Sequence, residues 1–275
     1  MKFAKAHGLG NDFVLVEAGD APESVGPWAR RLCDRHTGIG ADGVLIYRLR
    51  MPDVEMRLVN ADGGEVELSA NGVRCLAALV VHQRLLAPSH VVQTRAGPRA
   101  VEVGHISRTR YRVQTDLGIP RLASQEVPMS LTPPLPRVLN HPLNAAGKTW
   151  LVTACSLGNP HCAVFMDAAP DDALIASVGP ALECHEAFPQ RTNVEFVTVL
   201  NRKELRVRFW ERGVGPTRSS GTGSASAAVA AVVTGRADRH LQVHCDDGIL
   251  QVDWPESQPL QQVGEVELLF AGGWL

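Results

Sequence analysis

One short pattern occurs twice in this chain, once in each half. Arg57-Leu58-Val59-Asn60 leads to Ser69-Ala70-Asn71-Gly72, and Arg208-Phe209-Trp210-Glu211 leads to Ser220-Gly221-Thr222-Gly223, which sets the two serines 151 positions apart. Each copy reads as a strand, a polar turn containing glycine, and a hydroxyl residue directly ahead of a small-residue, apolar helix. Leu9-Gly10-Asn11 returns as Leu157-Gly158-Asn159 after 148 positions. Thr37-Gly38-Ile39-Gly40 aligns, at a similar offset, with Thr192-Asn193-Val194-Glu195. Matched segments in one order restrict the fold to two similar halves rather than a longer repeat array.

Within the first half, strand-like runs fall at residues 44–49, 56–60, 91–94, 101–103 and 111–115, with one strong helix at about 71–86. The second half repeats the plan with strands near 149–154, 161–166, 194–200 and 204–210 and a helix at about 221–234. Alternation of strands with one long helix and glycine turns is the pattern of a mixed α/β half. Between Leu117 and Arg137 the prolines 120, 128, 133, 134 and 136 interrupt any regular period. The expected domains are therefore residues 1–117 and 118–275, with the last strand a candidate to return to the first half.

The balance of charge removes several classes of partner. Lys plus Arg total 27 against 29 for Asp plus Glu, a formal net charge of −2, so no basic field exists to neutralise nucleic-acid phosphates. Apolar runs are broken well before the roughly 18 residues a membrane span requires, and Met1-Lys2-Phe3-Ala4-Lys5 has no apolar signal core. The expectation is a cytoplasmic protein with neither nucleic acid nor membrane as partner. Cys33, Cys75, Cys155, Cys162, Cys184 and Cys245 show no paired metal spacing, which predicts free, mostly buried thiols and no metal site.

Ala70 to Val81 is apolar nearly all round, and the segment after Ser220 is richer still in Gly, Ala, Ser and Val, so both helices should be buried. A buried helix beginning Asn-Gly or Gly-Thr-Gly presents backbone N–H groups and a positive dipole end, a natural place for a carboxylate. Two halves facing each other would bring two such ends to one cleft. Taken singly, each candidate has a plainer reading. Ser69 and Ser220 are ordinary helix N-caps, Asn-Pro-His161 and Asn11-Asp12 read as turns, and Glu211-Arg212 as a strand-end ion pair. Their co-occurrence around the two capped helices is what defines a site.

These residues carry a family resemblance. Ala6-His7-Gly8-Leu9-Gly10-Asn11-Asp12-Phe13, Asp34 to Gly43, Asn60-Ala61-Asp62-Gly63, Gly158-Asn159-Pro160-His161, Phe188 to Phe196 and Trp210-Glu211-Arg212-Gly213 resemble, in order, the motifs of diaminopimelate epimerases. The resemblance runs from Lys2 to about Val252. It implies an α/β (α+β) fold of two pseudo-symmetric halves, each a barrel-like, mostly antiparallel sheet around a central helix. It also implies an isomerase that interconverts LL- and meso-diaminopimelate in lysine and cell-wall precursor synthesis. No pyridoxal phosphate, other cofactor or metal is implied, and dimers are common in the family.

By the same resemblance, Asn11, Asn60, Asn71, Gly72, Asn159, Asn193, Glu211, Arg212, Gly221, Thr222 and Gly223 bind the amino-acid substrate. His161 and Glu211 sit beside the two acid/base positions, which here are Ser69 and Ser220 where the family has cysteine. A thiol titrates near about 8.5 and is readily tuned toward neutrality, whereas a hydroxyl is not ionised at neutral pH. A serine needs a neighbouring base to take its proton, and His161 is the candidate beside one of the pair. Ala70 and Ser219 also stand where the family usually has Gly and Ala, which argues against a deliberate exchange. Three readings stay open: an epimerase relying on His161 and Glu211, a related one-base isomerase or amino-acid dehydratase, and a homologue that binds an amino acid without turning it over.

Overall fold

The computed structural model describes residues 1–275, and the chain divides into two compact units, Met1–Asp116 with Val263–Leu275, and Leu117–Gln262. In chain order the first unit contains β1 (Lys2–Gly8), β2 (Asn11–Glu17), α1 (Val25–Cys33), β3 (Gly43–Arg50), β4 (Asp53–Asn60), β5 (Glu65–Val66), α2 (Ala70–His82), β6 (Ser89–Thr94), β7 (Gly97–His105) and β8 (Arg110–Asp116). The second contains β9 (Val138–Ala145), β10 (Lys148–Ser156), β11 (Pro160–Met166), α3 (Asp172–Glu183), β12 (Asn193–Asn201), β13 (Glu204–Glu211), β14 (Gly215–Thr217), α4 (Gly221–Val233), β15 (His240–Cys245) and β16 (Gly248–Asp253). The last strand, β17 (Gln261–Gly273), leaves the second unit and completes the first.

The first unit closes on itself. β1 pairs with β2, β2 with β3 in parallel, β3 with β4, β4 with β6 in parallel, β6 with β7 and β7 with β8. β17 pairs with both β8 and β1 and so joins the two ends. Closure removes free strand edges, and the interior is occupied by α2. Every residue from Ala70 to Val80 is buried, and α2 packs on β1, β2, β3, β4, β7 and β8. Leu76, Leu79 and Val80 are within 3% of full burial, each contributing about 1.5–3 kcal/mol relative to exposure.

The second unit repeats this arrangement around α4. β9, β10, β11, β12, β13, β15 and β16 pair in that order, with β11–β12 and β13–β15 parallel. Residues Gly221 to Ala231 of α4 are all buried against β10 to β13, β15 and β16. Its small side chains make a narrow helix that the sheet can approach closely. A Cβ on Gly223 would lie 3.0 Å from Glu195 Oε1 and from Phe209 Cδ1, so a larger residue there would have to push these neighbours back.

Two structural findings differ from the sequence reading. α1 and α3 are additional helices, packed on the outer side of their sheets through Ala29 and Leu32, and through Ile175, Val178 and Leu182. Pro27 in the first turn of α1, and Gly179 and Pro180 inside α3, suppress the helical signal in the sequence. The repeat also has a different phase in one segment. Phe13 pairs with Gly43 across β2–β3 and His161 with Asn193 across β11–β12, so Asn193 corresponds to Gly43 and not to Gly38. The Thr37–Gly40 match is out of register with this strand pairing, although the connections at residues 34–42 and 184–192 are equally long. No helix is long and apolar enough to cross a membrane.

Candidate functional site

Each unit sets a serine at the N-cap of its buried helix. Ser69 has extended backbone, and its side-chain oxygen accepts the Gly72 N–H at 3.1 Å. Ser220 has the same backbone and accepts the Gly223 N–H at 3.2 Å. These are true N-caps, which satisfy one of the N–H groups that have no acceptor within the helix. The plain reading of both serines is therefore correct as far as it goes. Ser220 does more, since its hydroxyl donates to Glu211 Oε2 at 3.1 Å. Glu211 ends β13, and its other oxygen accepts from Thr217 Oγ1 on β14 at 2.6 Å. The carboxylate beside Ser220 is thus oriented from two sides, and the side chain that accepts from that hydroxyl is Glu211.

In the first unit the polar groups form a continuous network. Asn71 on α2 donates to Asn11 Oδ1 at 3.2 Å, and Asn11 donates to Asp42 Oδ2 at 2.8 Å. Arg74, fully buried, donates to Asn71 Oδ1. Asp42 and Asp12 share Arg35 at 2.8 Å each, and Lys5, only 5% exposed, pairs with Asp12 at 2.5 Å and donates to the Gly40 carbonyl. Burial would raise the Asp12 carboxyl, but hydrogen bonds from Arg35 and Lys5 outweigh it and hold Asp12 below the ordinary value. Asp42 goes the other way, raised first by burial and then by the Asp12 charge. Asn60 closes β4 opposite Gly43, its backbone N–H bonded to the Gly64 carbonyl. The structure therefore brings Asn11, Asn71, Gly72 and Ser69 together around the start of α2, with Asn60 at the end of a neighbouring strand.

The second unit gathers more of the expected residues. Asn159 donates to Thr222 Oγ1 at 3.4 Å, and His161 Nε2 meets Asn159 Oδ1 at 3.0 Å. Asn193 donates to the Pro160 carbonyl at 2.8 Å and accepts the Arg212 backbone N–H at 3.0 Å. Arg212 reaches the Gln190 carbonyl at 3.3 Å. His161 lies on a strand, β11, not in a turn. Gly221, Thr222 and Gly223 form the buried first turn of α4.

Three carboxylates that organise these groups carry no role in the sequence reading. Glu195 bonds His161, Asp42 bonds Asn11, and Glu183 accepts Trp210 Nε1 at 2.7 Å and the Gly213 N–H at 3.0 Å, tying the end of β13 to α3. For Glu195 a signal existed, because it stands two residues after Asn193 on one strand and so shares its face. The thiols do not stand in for the serines. Burial pushes Cys33, Cys75 and Cys155 up to about 12 and Cys162 well above the ordinary thiol value, so none of the four supplies a thiolate at neutral pH.

A buried helix capped by serine inside each of two barrel-like α/β units, with an amide-rich polar lining, defines the diaminopimelate epimerase-like fold. A predicted epimerase from Pseudomonas aeruginosa has this fold, superposing with a TM-score of 0.73 at 15% identity over 100% of this chain and 99% of that one. The family model described as diaminopimelate epimerase matches residues 3–122 and 153–269. A diaminopimelate epimerase from Desulforudis audaxviator is 45% identical over 280 residues, covering 100% of this chain and 99% of that one. One from Pelotomaculum thermopropionicum is 42% identical over 281 residues, covering 99% and 98%. The chain belongs to the diaminopimelate epimerase family.

Proposed function

We propose that this chain interconverts LL- and meso-diaminopimelate by moving the proton at the α-carbon, with Ser69 and Ser220 at the two acid/base positions. The observation that carries the reading is the Ser220–Glu211 contact of 3.1 Å on the cap of a helix within a family-matched chain. A hydroxyl hydrogen-bonded to a carboxylate has a base to receive its proton, which makes up part of the difference between serine and the cysteine of the family motif. The Ser69 oxygen, half-buried on the α2 cap, has the Gly72 N–H as its partner, and His161 is the further acid/base group that the family resemblance implies.

Substrate recognition follows from the remaining groups. The first turns of α2 and α4, with Gly72, Gly221, Thr222 and Gly223, offer backbone N–H groups and a positive dipole end suited to a carboxylate. Asn11, Asn60, Asn71, Asn159, Asn193, Glu211 and Arg212 supply donors and acceptors for an amino acid with a second amino-acid centre. All six cysteines are free thiols, in keeping with a cytoplasmic enzyme.

Deuterium uptake at the α-carbon of LL-diaminopimelate in D2O, followed by NMR with chiral analysis of the product, tests the reading. Uptake with inversion is the expected result. Uptake without inversion would instead leave a one-base isomerase, and binding with no uptake by either this chain or its Ser69→Cys/Ser220→Cys form would overturn the assignment.

A further inference from the structure

His161 and Glu195 face each other across the parallel pair β11–β12. The register sets His161 against Asn193 and Ala163 against Glu195, so both side chains point to the α4 face of the sheet. His161 Nδ1 lies 2.7 Å from Glu195 Oε1, and both side chains are 1% exposed. The other ring nitrogen, Nε2, meets Asn159 Oδ1 at 3.0 Å. Gly223 lies so close that a Cβ there would be 3.0 Å from Glu195 Oε1, and its N–H caps onto Ser220. The dyad therefore lies against the same first turn of α4 that holds Ser220.

Both atoms flanking the ring are acceptors. An ionised carboxylate only accepts, so the ring proton on that side belongs to Nδ1 in the 2.7 Å hydrogen bond to Oε1, and any proton the ring exchanges is carried on Nε2. We propose that Glu195 is a positioning residue for the reaction: it fixes His161 in the tautomer with Nδ1–H toward the carboxylate, so that Nε2 is the atom that gives and takes the proton. This rests on the reading that His161 takes part in proton transfer.

The groups around the dyad leave no rival for this role. Cys162 on β11 and Cys155 on β10 are the titratable neighbours whose charge acts with that of Glu195, and both thiols are held neutral by burial. From β13 the residue opposite Glu195 is Phe209, and α4 has no ionisable side chain from Gly221 to Val233. Burial raises the Glu195 carboxyl, opposed by the His161 charge, its hydrogen bond and the Cys162 backbone N–H. Burying such a group at no functional gain would be costly unless its partner stayed in place.

The test is long-range 1H–15N NMR of the whole chain with labelled histidine, the His161 signal assigned by its loss in His161→Asn. The expected wild-type spectrum shows the Nδ1–H tautomer. Glu195→Gln mixes the tautomers, while Glu195→Asp retains the Nδ1–H form in part. α-Proton exchange in Glu195→Gln falls by between about 10- and 10⁴-fold with KM little changed. A His161 tautomer unchanged in both Glu195 variants would overturn the proposal. If His161→Asn exchanges the α-proton as fast as wild type, the role of His161 itself fails, and the NMR result still decides what Glu195 does to the ring.

Discussion

Ser220 Oγ and Glu211 Oε2 are 3.1 Å apart, and the same serine oxygen accepts the Gly223 N–H at 3.2 Å. One hydroxyl thus stabilises a helix start and hands its proton toward a carboxylate, and the two roles make different demands. Glu211→Gln keeps the shape and removes the base. α-Proton exchange should fall by about 10²–10⁴-fold, while the urea midpoint stays close to wild type because Gln still accepts from Thr217. A variant that lost stability in proportion to exchange would assign Glu211 to the fold alone.

Replacing both serines by cysteine should raise exchange. A thiol supplies a thiolate near neutral pH where a hydroxyl does not, and cysteine is a poorer N-cap than serine. Ser69→Cys/Ser220→Cys should therefore exchange about 10²-fold faster or more while losing about 1 kcal/mol at each cap. Opposite signs for rate and stability in one variant would separate the catalytic from the capping role. Equal rates in the two forms would show that Glu211 and His161 already compensate for the hydroxyls.

The acid network of the first unit predicts a pH dependence with a definite sign. Asp12, held by Arg35 and Lys5, has its folded carboxyl below the ordinary value of 3.8. Its contribution is complete above that value and is lost as pH falls through the folded one. Asp42, raised by burial, acts oppositely and gains from protonation as pH falls toward 3.8. Asp12→Asn leaves Lys5 buried without its carboxylate and should cost about 3 kcal/mol near neutral pH. Urea titrations at about pH 7 and about pH 3 should show the gap between wild type and variant shrinking at the lower pH. A gap that stayed constant would mean the network stabilises through packing and not through charge.

How much of this was legible in the sequence depends on which interactions set each element. The buried helices could be read because capping serine, glycine and a run of small apolar residues are local signals, and Ala70–His82 and Gly221–Val233 carry all of them. β1 could not be read, because Lys2 and Lys5 break its pattern and Lys5 is buried against Asp12 on β2 and the Gly40 carbonyl, contacts made on folding. The family motifs named the candidate amides and both serines. They did not show that Ser220 donates to Glu211, nor that Glu195, Asp42 and Glu183 bond His161, Asn11 and Trp210, since side-chain contacts between elements have no fixed spacing in the chain. The Thr37–Thr192 match failed for a related reason: strand register, not the alignment of similar letters, decides which residues correspond.

Gly179 tests whether the end of β13 is held from behind. A Cβ there would come within 2.6 Å of the Trp210 ring, well inside contact distance, and the ring sits in a half-buried place on the core of α3, β9 and β12. Trp210 also donates to Glu183 Oε2 at 2.7 Å, and its neighbour in the chain is Glu211. Gly179→Ala must therefore move either α3 or the indole, and overpacking of this kind costs about 1–3 kcal/mol. If the indole moves, the Glu183 bond is lost and Glu211 shifts relative to Ser220, so exchange should fall along with the urea midpoint. If α3 moves instead, stability falls while exchange is kept. Comparing the variant with Glu183→Gln distinguishes the two, because loss of the Glu183 charge loosens Trp210 and Gly213 without adding volume, and matching losses of exchange in both variants would place control of Glu211 in the packing of β13 against α3.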